Sequence, residues 1–424
     1  MPLERESDRV ECVMVQIDLQ RVMGNLEVLS RFSSVPAPAV TRVLWTPEDM
    51  AMRAWLKNLA VSANLSWRED ALGNTFIRLE GLDASLSAIG TGSHCDAIPF
   101  SGRFDGTVGV LGGLEALMAI AGSGAKPRRS LELLMFTAEE PTRFGLGCLG
   151  SRALSGAITP EGMRNLRDND GVTLEAARAS VGYTAPLEGV RLLDDHYAGF
   201  VELHIEQGPL LEEQGVQIGI VGAIAAPASF FLHLTGEGGH AGARLMLGRR
   251  DALLAAAEIA LEVERAALAT GATDTVGTTG LLEVHPGAIN SIPSAVKMGV
   301  DIRDIIATRR DSAMNAVLEA TKRICERRGV TYTITVINSD PPTTCDPSLL
   351  EAIRAACAFT GSSRLEMVSR AYHDSLFMAR VCPVAMIFIP CKGGVSHRPD
   401  EHAAPDDIER GIQVLAQTLL TLSS

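Results

Sequence analysis

Imidazole and carboxylate side chains cluster in five short segments of this 424-residue sequence. The segments are residues 92–96 (GSHCD), 102–106 (GRFDG), 138–141 (AEEP), 200–208 (FVELHIEQG) and the loop around His397. Apolar runs precede most of them, and open αβ sheets bind ligands beyond the carboxyl ends of their strands. Imidazole nitrogens and carboxylate oxygens, without thiolates, suit Zn²⁺, Mn²⁺ or Co²⁺. The pattern therefore predicts a divalent-metal site where the strands end.

Each of these residues has an ordinary alternative interpretation when it is taken alone. A single histidine is more often a core or surface residue than a ligand, and a pair of carboxylates usually lies on a solvated face. Glu139 and Glu140 argue against a solvated face because they follow an apolar strand. Gly102 and Gly106, on either side of Asp105, indicate close backbone approach. The combination favours a functional site.

Alternating strand and helix patterns surround these segments. Apolar strands are predicted at residues 86–91 and 131–137, with a Gly-, Ala- and Leu-rich helix between them at about 107–121. Upstream, Thr46 is a predicted helix cap and Pro47 the first residue of an amphipathic helix. The succession of strand, helix and strand at this spacing predicts a parallel αβ sheet covered on both faces.

A different order of elements follows. Strands are predicted at 230–235, 276–284, 295–301 and 331–336, and long helices at 250–268 and 309–328. That order fits a small sheet with two helices. The first pattern then returns as a helix at 347–359, an apolar strand at 384–389 and a final helix from Pro405. The sequence thus predicts a discontinuous main domain, residues 1–224 and 339–424, with a smaller domain inserted at 225–338.

Composition and charge narrow the class of protein. Hydrophobic residues make up 46% of the chain and charged residues 21%, which is typical of a folded globular protein. The net charge of −13 argues against nucleic acids and membranes as partners, because both select for basic surfaces. The eight cysteines include no C-x-x-C pair, which indicates reduced thiols. The mixed acidic and basic amino-terminal residues are unlike a signal peptide, so a cytoplasmic location is expected.

Five motifs resemble the M20 peptidase/amidohydrolase superfamily, and specifically its carbamoyl-hydrolysing branch. In chain order they are GSHCDAIPFSGRFDGTVGV, FTAEEPTRFG, the isolated His204, GEGGHAG at 236–242 and SHRPDE at 396–401. They occur in the family's order over nearly the whole chain. The resemblance implies an α/β fold in which a zinc-peptidase-like mixed sheet, flanked by helices, carries the site. It also implies that the inserted α+β domain serves as a lid and dimerisation domain.

The resemblance further implies roles for individual residues. Two metal ions are implied, with Asp105 shared, and their ligands are His94, Asp105 and His204 for one ion and Asp105, Glu140 and His397 for the other. Asp96 matches the carboxylate that orients His94, and Glu139 matches the general base. Histidine at position 204 is typical of the carbamoyl branch, whereas aminopeptidase relatives usually carry aspartate there.

Motifs in the carboxyl-terminal half are similar to those of the ureidoglycolate-hydrolysing group of this branch. They are DTVGTTGLLEVHPGAINSIPSAV (274–296), SRAYHDSLFMAR (369–380) and MIFIPC (386–391). The resemblance implies that six residues contact the substrate, namely Gln207, His240, Asn290, Arg303, Tyr372 and His373. It also implies a catalytic role for His240. On the residues alone, Arg303 is equally a surface ion pair, Asn290 a turn residue and Tyr372 an aromatic at the core edge.

The expected protein is therefore an amidohydrolase with two divalent metal ions per subunit, manganese being expected and zinc or cobalt the alternatives. The expected substrate is a small molecule, (S)-ureidoglycolate, converted to glyoxylate, ammonia and carbon dioxide in purine and allantoin breakdown. Allantoate and N-carbamoyl-L-amino acids are alternative substrates, and an M20 peptidase or a metal-free binding protein are alternatives from other classes. A homodimer through the inserted domain is expected, with His240 completing the partner's site and residues 392–395 lining the pocket.

Overall fold

The computed structural model describes residues 14–424. In that part of the chain the helices are α1 Leu19–Ser30, α2 Pro47–Ser62, α3 Thr107–Gly122, α4 Leu149–Ser155, α5 Pro160–Asn165, α6 Leu174–Ser180, α7 Leu210–Gln214, α8 Ala252–Ala269, α9 Ala307–Arg328, α10 Pro347–Thr360, α11 Ser375–Met378 and α12 Pro405–Ser423. The strands are β1 Val40–Arg42, β2 Ser66–Glu69, β3 Thr75–Leu79, β4 Ala88–His94, β5 Ala97–Ser101, β6 Leu131–Phe136, β7 Tyr197–Ile205, β8 Ile218–Ile224, β9 Ala226–Thr235, β10 Gly239–His240, β11 Val276–His285, β12 Ser291–Ile292, β13 Ala295–Asp304, β14 Thr331–Ser339, β15 Thr343–Thr344, β16 Arg364–Ser369 and β17 Val384–Ile389. Two 3₁₀ turns are Leu187–Gly189 and Lys392–Gly394.

The larger sheet has nine strands and is mixed. Its strands lie in the order β15-β8-β17-β7-β4-β6-β3-β2, and β16 pairs with β8. β17, β7, β4 and β6 are parallel neighbours, whereas the pairs β17–β8, β6–β3 and β3–β2 are antiparallel. Every residue of β4, β6 and β17 is buried, as expected for strands covered on both faces. The α/β fold with a mixed sheet is confirmed, and the expected parallel pair of strands forms its central part as β4 and β6.

Local signals explain where two helices near the site begin. The side chain of Thr46 accepts a hydrogen bond from the backbone N–H of Asp49, and Pro47 is the first residue of α2, as predicted. α3 occupies nearly the predicted range and begins after Gly106, which has a φ of 65°. It is apolar and buried on almost all sides, which identifies it as a core helix.

Two of the expected ligand histidines lie inside strands of the larger sheet. The predicted strand stopped at Thr91, but β4 continues to His94 because its parallel pairing with β6 extends to His94 and Phe136. His204 likewise lies inside β7, opposite Phe388 of β17. The sheet therefore holds both imidazoles by regular backbone pairing.

The described chain packs into two compact units. The first runs from the described amino-terminal residues to Gly222 and adds Cys345–Met367 and His373–Ser424. The second comprises Ala223–Thr344 and Val368–Tyr372, and the insert predicted at 225–338 lies within it. Its four-stranded antiparallel sheet has the order β11-β13-β9-β14, and α8 and α9 pack against the sheet around a shared apolar core.

Part of the sequence that led us to expect a cytoplasmic location lies outside the described residues. Residues 1–13, including Cys12 and the charged segment unlike a signal peptide, lie outside them. The seven described cysteines are buried free thiols. Within residues 14–424, no helix combines the length and the hydropathy of a transmembrane segment.

Candidate active site

Asp105 is the point at which three histidines meet. Its Oδ1 lies 3.2 Å from Nε2 of His204 and 3.5 Å from Nε2 of His94. Its Oδ2 lies 3.4 Å from Nε2 of His397, which is also 3.3 Å from Oε1 of Glu140. The five residues expected as metal ligands therefore come together as two groups that share Asp105.

These separations fit donor atoms that share a metal ion. Divalent ions such as zinc bind imidazole nitrogen and carboxylate oxygen at about 2.1 Å, so neighbouring ligand atoms lie roughly 3.0–3.5 Å apart. The four separations span 3.2–3.5 Å and lie within that range. Each oxygen of Asp105 faces one group, as in a carboxylate that bridges two ions. The residues present therefore fit divalent metal ions that bind imidazole and carboxylate groups.

Hydrogen bonds turn the histidine nitrogens toward Asp105. Nδ1 of His94 lies 3.1 Å from the carbonyl oxygen of Asp96, and Nδ1 of His204 lies 2.8 Å from that of Ile205. A carbonyl oxygen can only accept, so each Nδ1 donates and Nε2 is left to face Asp105. Gly106 makes room for this arrangement, because a β-carbon there would lie 2.4 Å from Nε2 of His94.

Asp96 holds the glutamate pair by its backbone. Its Oδ1 accepts a hydrogen bond from the N–H of Glu139 at 3.1 Å, and its Oδ2 accepts one from the N–H of Glu140 at 2.9 Å. The same Oδ1 is 3.6 Å from Nδ1 of His94, the imidazole that this carboxylate was expected to orient. Asp96 is thus in contact with one expected ligand and with the backbone of the expected base.

Burial raises the pKa values of the two glutamates. Glu139 is 9% exposed and Glu140 is 5% exposed. Burial raises the pKa of Glu139 well above its usual range, and burial together with the charge of Asp105 raises the pKa of Glu140 to about 7. Burial favours the neutral form of Asp105 too, but hydrogen bonds with the surrounding imidazoles hold its pKa well below the usual range. Carboxylates crowded in this way favour bound cations.

Gln207 lies against the shared carboxylate. Its Nε2 donates to Oδ2 of Asp105 at 2.6 Å, and its backbone has a φ of 57°. Its Oε1 is buried, and none of residues 14–424 donates a hydrogen bond to it. A buried acceptor without a donor at such a site is suited to an N–H group of a substrate.

The turn Lys392–Gly394 packs beside Gln207. A β-carbon at Gly394 would lie 2.7 Å from the backbone nitrogen of Pro209, and the thiol of Cys391 lies 3.6 Å from the carbonyl oxygen of Gly208. The loop therefore supports the segment that follows Gln207, and its contact with a substrate stays a prediction.

His373 belongs to a third group of potential ligands. Its ring centroid is 4.7 Å from that of His204, and Glu202 completes the group. Both oxygens of Glu202 already accept hydrogen bonds, from the hydroxyl of Ser93 at 2.8 Å and from the hydroxyl of Ser375 at 2.6 Å. Glu202 thus ties β7 to β4 and to the turn that carries His373, which is a structural role.

His240 and Asn290, which are both expected to contact the substrate, are neighbours in the second unit. His240 pairs with Ser291, and the N–H of Ala241 donates to the carbonyl oxygen of Asn290 at 2.9 Å. Nδ1 of His240 accepts from the backbone N–H groups of Gly242 and Ala243. The proton of the neutral ring is therefore on Nε2, which leaves an exposed N–H donor.

Arg303 and Tyr372 also lie in the second unit. Nε of Arg303 donates to Oδ1 of Asp301 at 2.8 Å. In this structure Arg303 therefore forms an ion pair, which is the alternative that the residues alone allowed. The hydroxyl of Tyr372 donates to Oδ2 of Asp340 at 2.6 Å. Binding of a substrate carboxylate by Arg303 stays a prediction.

Two residues near Asp105 had no role in the sequence interpretation. Oε1 of Glu401 accepts from the backbone N–H groups of Phe104 and Asp105 at 2.7 and 3.0 Å. The hydroxyl of Ser396 lies 2.5 Å from Oδ2 of Asp105 and 2.9 Å from Oε2 of Glu401. Both belong to the motif SHRPDE around His397. Their closeness to His397 in the sequence is the signal that could have identified them as part of the site.

Several hydrolases are similar to this chain over most of its length. Residues 90–421 match the model of peptidase family M20/M25/M40. Ureidoglycolate hydrolase from Oryza sativa subsp. japonica is 50% identical over 414 residues, 96% of this chain and 85% of the rice protein. The crystal structure of AtUAH in complex with glyoxylate has a TM-score of 0.89 and 47% identity, covering 97% of this chain and 99% of that chain, and the (S)-hydroxyglycine complex matches equally. N-carbamoyl-L-amino-acid amidohydrolase from Pseudomonas sp. (strain NS671) is 34% identical over 96% of this chain and 99% of that protein.

Proposed function

This chain belongs to the peptidase family M20/M25/M40, and we propose that it is a hydrolase that cleaves the ureido group of (S)-ureidoglycolate. Addition of water at the ureido carbonyl gives (S)-hydroxyglycine, ammonia and carbon dioxide, and (S)-hydroxyglycine then loses ammonia to give glyoxylate. The similar rice protein is named for this substrate, and the AtUAH structures contain glyoxylate and (S)-hydroxyglycine, both formed on this route.

The observation that carries the proposal is the paired arrangement at Asp105. One oxygen faces His94 and His204, and the other faces His397, which also contacts Glu140. These residues would hold two divalent ions, manganese as the native ion with zinc and cobalt as alternatives. Bound there, the ions supply Lewis acidity that polarises a carbonyl group and lowers the pKa of water.

Glu139 is the proposed general base. Its Oε2 is 3.8 Å from Nε2 of His94, so a water molecule at the ligand groups is within its reach. A ureido carbonyl is a poor electrophile because resonance with two nitrogens stabilises it. Glu139 therefore removes a proton from the attacking water and returns it to the leaving nitrogen, which without protonation is a poor leaving group.

The substrate contacts follow from the donors and acceptors available. Oε1 of Gln207 is an acceptor for a ureido N–H. Arg303 is suited to the substrate carboxylate because its planar fork can donate two parallel hydrogen bonds. Nε2 of His240 is an exposed donor for the developing oxyanion, and the side chains of Asn290, Tyr372 and His373 complete the proposed pocket.

A second copy of the chain is the proposed partner. Leu254, Leu261 and Leu268 recur every seven residues on α8 and are 41%, 61% and 73% exposed. An apolar stripe of this kind favours a helix-packing interface. We propose a two-fold symmetric dimer through the second unit, in which His240 serves the site of the partner. A cytoplasmic location, also proposed, is supported by the buried free thiols.

A substrate panel tests the function directly. (S)-Ureidoglycolate, allantoate, N-carbamoyl-L-amino acids and dipeptides are assayed for ammonia or amine release with added manganese. The proposal expects the highest kcat/KM for (S)-ureidoglycolate. Preference for an N-carbamoyl-L-amino acid would instead assign the chain to the activity of its Pseudomonas relative, and preference for a dipeptide would make it a peptidase.

A further inference from the structure

Glu139 has a thiol neighbour that belongs to neither ligand group. Sγ of Cys148 lies 3.3 Å from Oε1 of Glu139, and the cysteine is completely buried. The other oxygen, Oε2, lies 3.8 Å from Nε2 of His94. The two oxygens of this carboxylate therefore have different surroundings, one facing the thiol and the other facing the ligand groups.

Backbone hydrogen bonds fix the distance between the two residues. Residues 148–150 donate to the chain around Glu139 in three successive bonds, Cys148 N–H to Glu139 O at 2.7 Å, Leu149 N–H to Ala138 O at 2.9 Å and Gly150 N–H to Thr137 O at 2.7 Å. A β-carbon at Gly150 would lie 2.5 Å from the backbone nitrogen of Thr137, so this pairing requires glycine. The backbone pairing thus fixes the separation between Cys148 and Glu139.

The conformation of Cys148 is itself unusual. Its φ of 55° and ψ of 36° are left-handed, which is uncommon for a residue that carries a side chain. Such conformations persist where the surroundings enforce them, and they concentrate at functional sites. Ala138, directly before Glu139, also has a positive φ, of 52°. Two unfavourable conformations therefore bring the thiol and the carboxylate together.

The thiol is the donor in this contact. Burial and the neighbouring Glu139 carboxylate raise the pKa of Cys148 well above its usual range, so its proton stays on sulfur. A thiol is a weak donor, which orients a carboxylate without binding its charged form as strongly as a hydroxyl would. That property suits a base whose carboxylate must alternate between charged and neutral forms.

We propose that Cys148 is a positioning residue for Glu139, whose thiol holds Oε1 and leaves Oε2 to exchange the proton with the attacking water and the leaving nitrogen. This inference rests on the proposed role of Glu139 as the base. It assigns Cys148 no contact with the substrate or with the metal ions.

Kinetics of the holoenzyme test whether Cys148 acts through Glu139. Cys148→Ala should lower kcat about tenfold or more, as expected for a misplaced catalytic group, with KM and metal content unchanged. Cys148→Ser should retain more activity because it keeps a donor. Cys382→Ala is the matched control, since the buried thiol of Cys382 donates to the carbonyl oxygen of Met378, and it should retain native kcat.

A double-mutant cycle separates positioning from general destabilisation. Glu139→Asp shortens the side chain and withdraws the carboxylate from Sγ, so adding Cys148→Ala should then cost little further activity. Fully additive losses would overturn the proposal, as would native kcat in Cys148→Ala.

Infrared spectroscopy of the metal-free protein tests the contact independently of activity. The S–H stretching band of Cys148 is the one missing from the Cys148→Ser spectrum, and it should move to higher frequency in Glu139→Ala. A band that does not move would contradict the contact. If the native holoenzyme hydrolyses no ureido substrate, the proposed function fails, and the infrared result alone decides whether the thiol holds the carboxylate.

Discussion

Gln207 donates a hydrogen bond from Nε2 to Oδ2 of Asp105 at 2.6 Å, so its amide is in direct contact with the carboxylate that both ligand groups share. The other end of that amide, Oε1, is buried, and no donor in residues 14–424 reaches it. Leaving a buried acceptor unsatisfied is unfavourable. A substrate N–H that supplies the missing bond would therefore bind with a gain in free energy.

Replacing Gln207 with leucine should weaken substrate binding. Loss of one hydrogen bond worth about 0.5–1.5 kcal/mol predicts a rise in KM of roughly two- to tenfold for (S)-ureidoglycolate. Steady-state kinetics measure this change, and metal analysis checks that Asp105 keeps its ions. Gln217→Leu is the control, because Gln217 pairs with Ser363 instead. An unchanged KM in Gln207→Leu would contradict the contact.

Glu139→Gln should remove turnover but leave metal binding intact. Glutamine keeps the size of the side chain but cannot accept a proton, so kcat should fall about 10²- to 10⁴-fold. Mass spectrometry of bound metal and thermal unfolding should match the native protein, because Glu139 lies in neither ligand group. Near-native kcat would show that another residue is the base.

Asp96→Asn should loosen the glutamate pair. Each oxygen of Asp96 accepts from a backbone N–H, of Glu139 or of Glu140, and the asparagine amide would turn one of these oxygens into a donor. An unsatisfied buried donor costs about 1–3 kcal/mol of stability. Because Glu140 is an expected ligand, metal affinity should also fall about 10- to 100-fold. Thermal unfolding and metal titration measure both effects, and Asp83→Asn, in an exposed turn, is the control.

Local signals in the sequence were sufficient for several elements. The cap at Thr46 followed by Pro47 predicted the start of α2, and the apolar run at 384–389 has the bounds of β17. Such features depend only on residues that are close together in the sequence, so they can be recognised without knowledge of the tertiary structure. The five expected ligand residues also meet, because the strands that carry or precede most of them are parallel neighbours.

Contacts between segments that are far apart in the sequence could not be predicted from local signals. Ser396 reaches Asp105 across 291 positions of the chain, and Ser93 reaches Glu202 across 109. Both depend on a tertiary arrangement that no local pattern specifies. Cys148 is only nine positions from Glu139, yet their contact requires a left-handed backbone that cysteine rarely adopts. The predicted strand ended at Thr91, whereas its pairing with β6 continues β4 to His94.

Metal binding should release protons. Hydrogen bonding to Asp105 and the charge of Glu140 raise the pKa of His397 to about 9 in the metal-free protein, so its imidazole is mostly protonated at pH 7.5. A ligand nitrogen must lose that proton, so manganese affinity should rise with pH until about pH 9. Calorimetric titration in buffers of different ionisation enthalpy should show release of at least about one proton per subunit. Binding without proton release at pH 7.5 would exclude His397 as a ligand.

Mixed dimers can decide whether His240 serves its own subunit or the partner. Glu139 lies in the first unit and His240 in the second, and each variant, Glu139→Gln or His240→Ala, should be inactive alone. If His240 acts across the two-fold interface, one site of a mixed dimer combines a native Glu139 with a native His240. Random re-pairing makes half of the dimers mixed, so about a quarter of the native sites should return. The activity of the mixture is measured after dissociation and reassociation, with each variant treated alone as the control. If His240 serves its own subunit, every site carries one of the two defects, and the mixture stays as inactive as its parents.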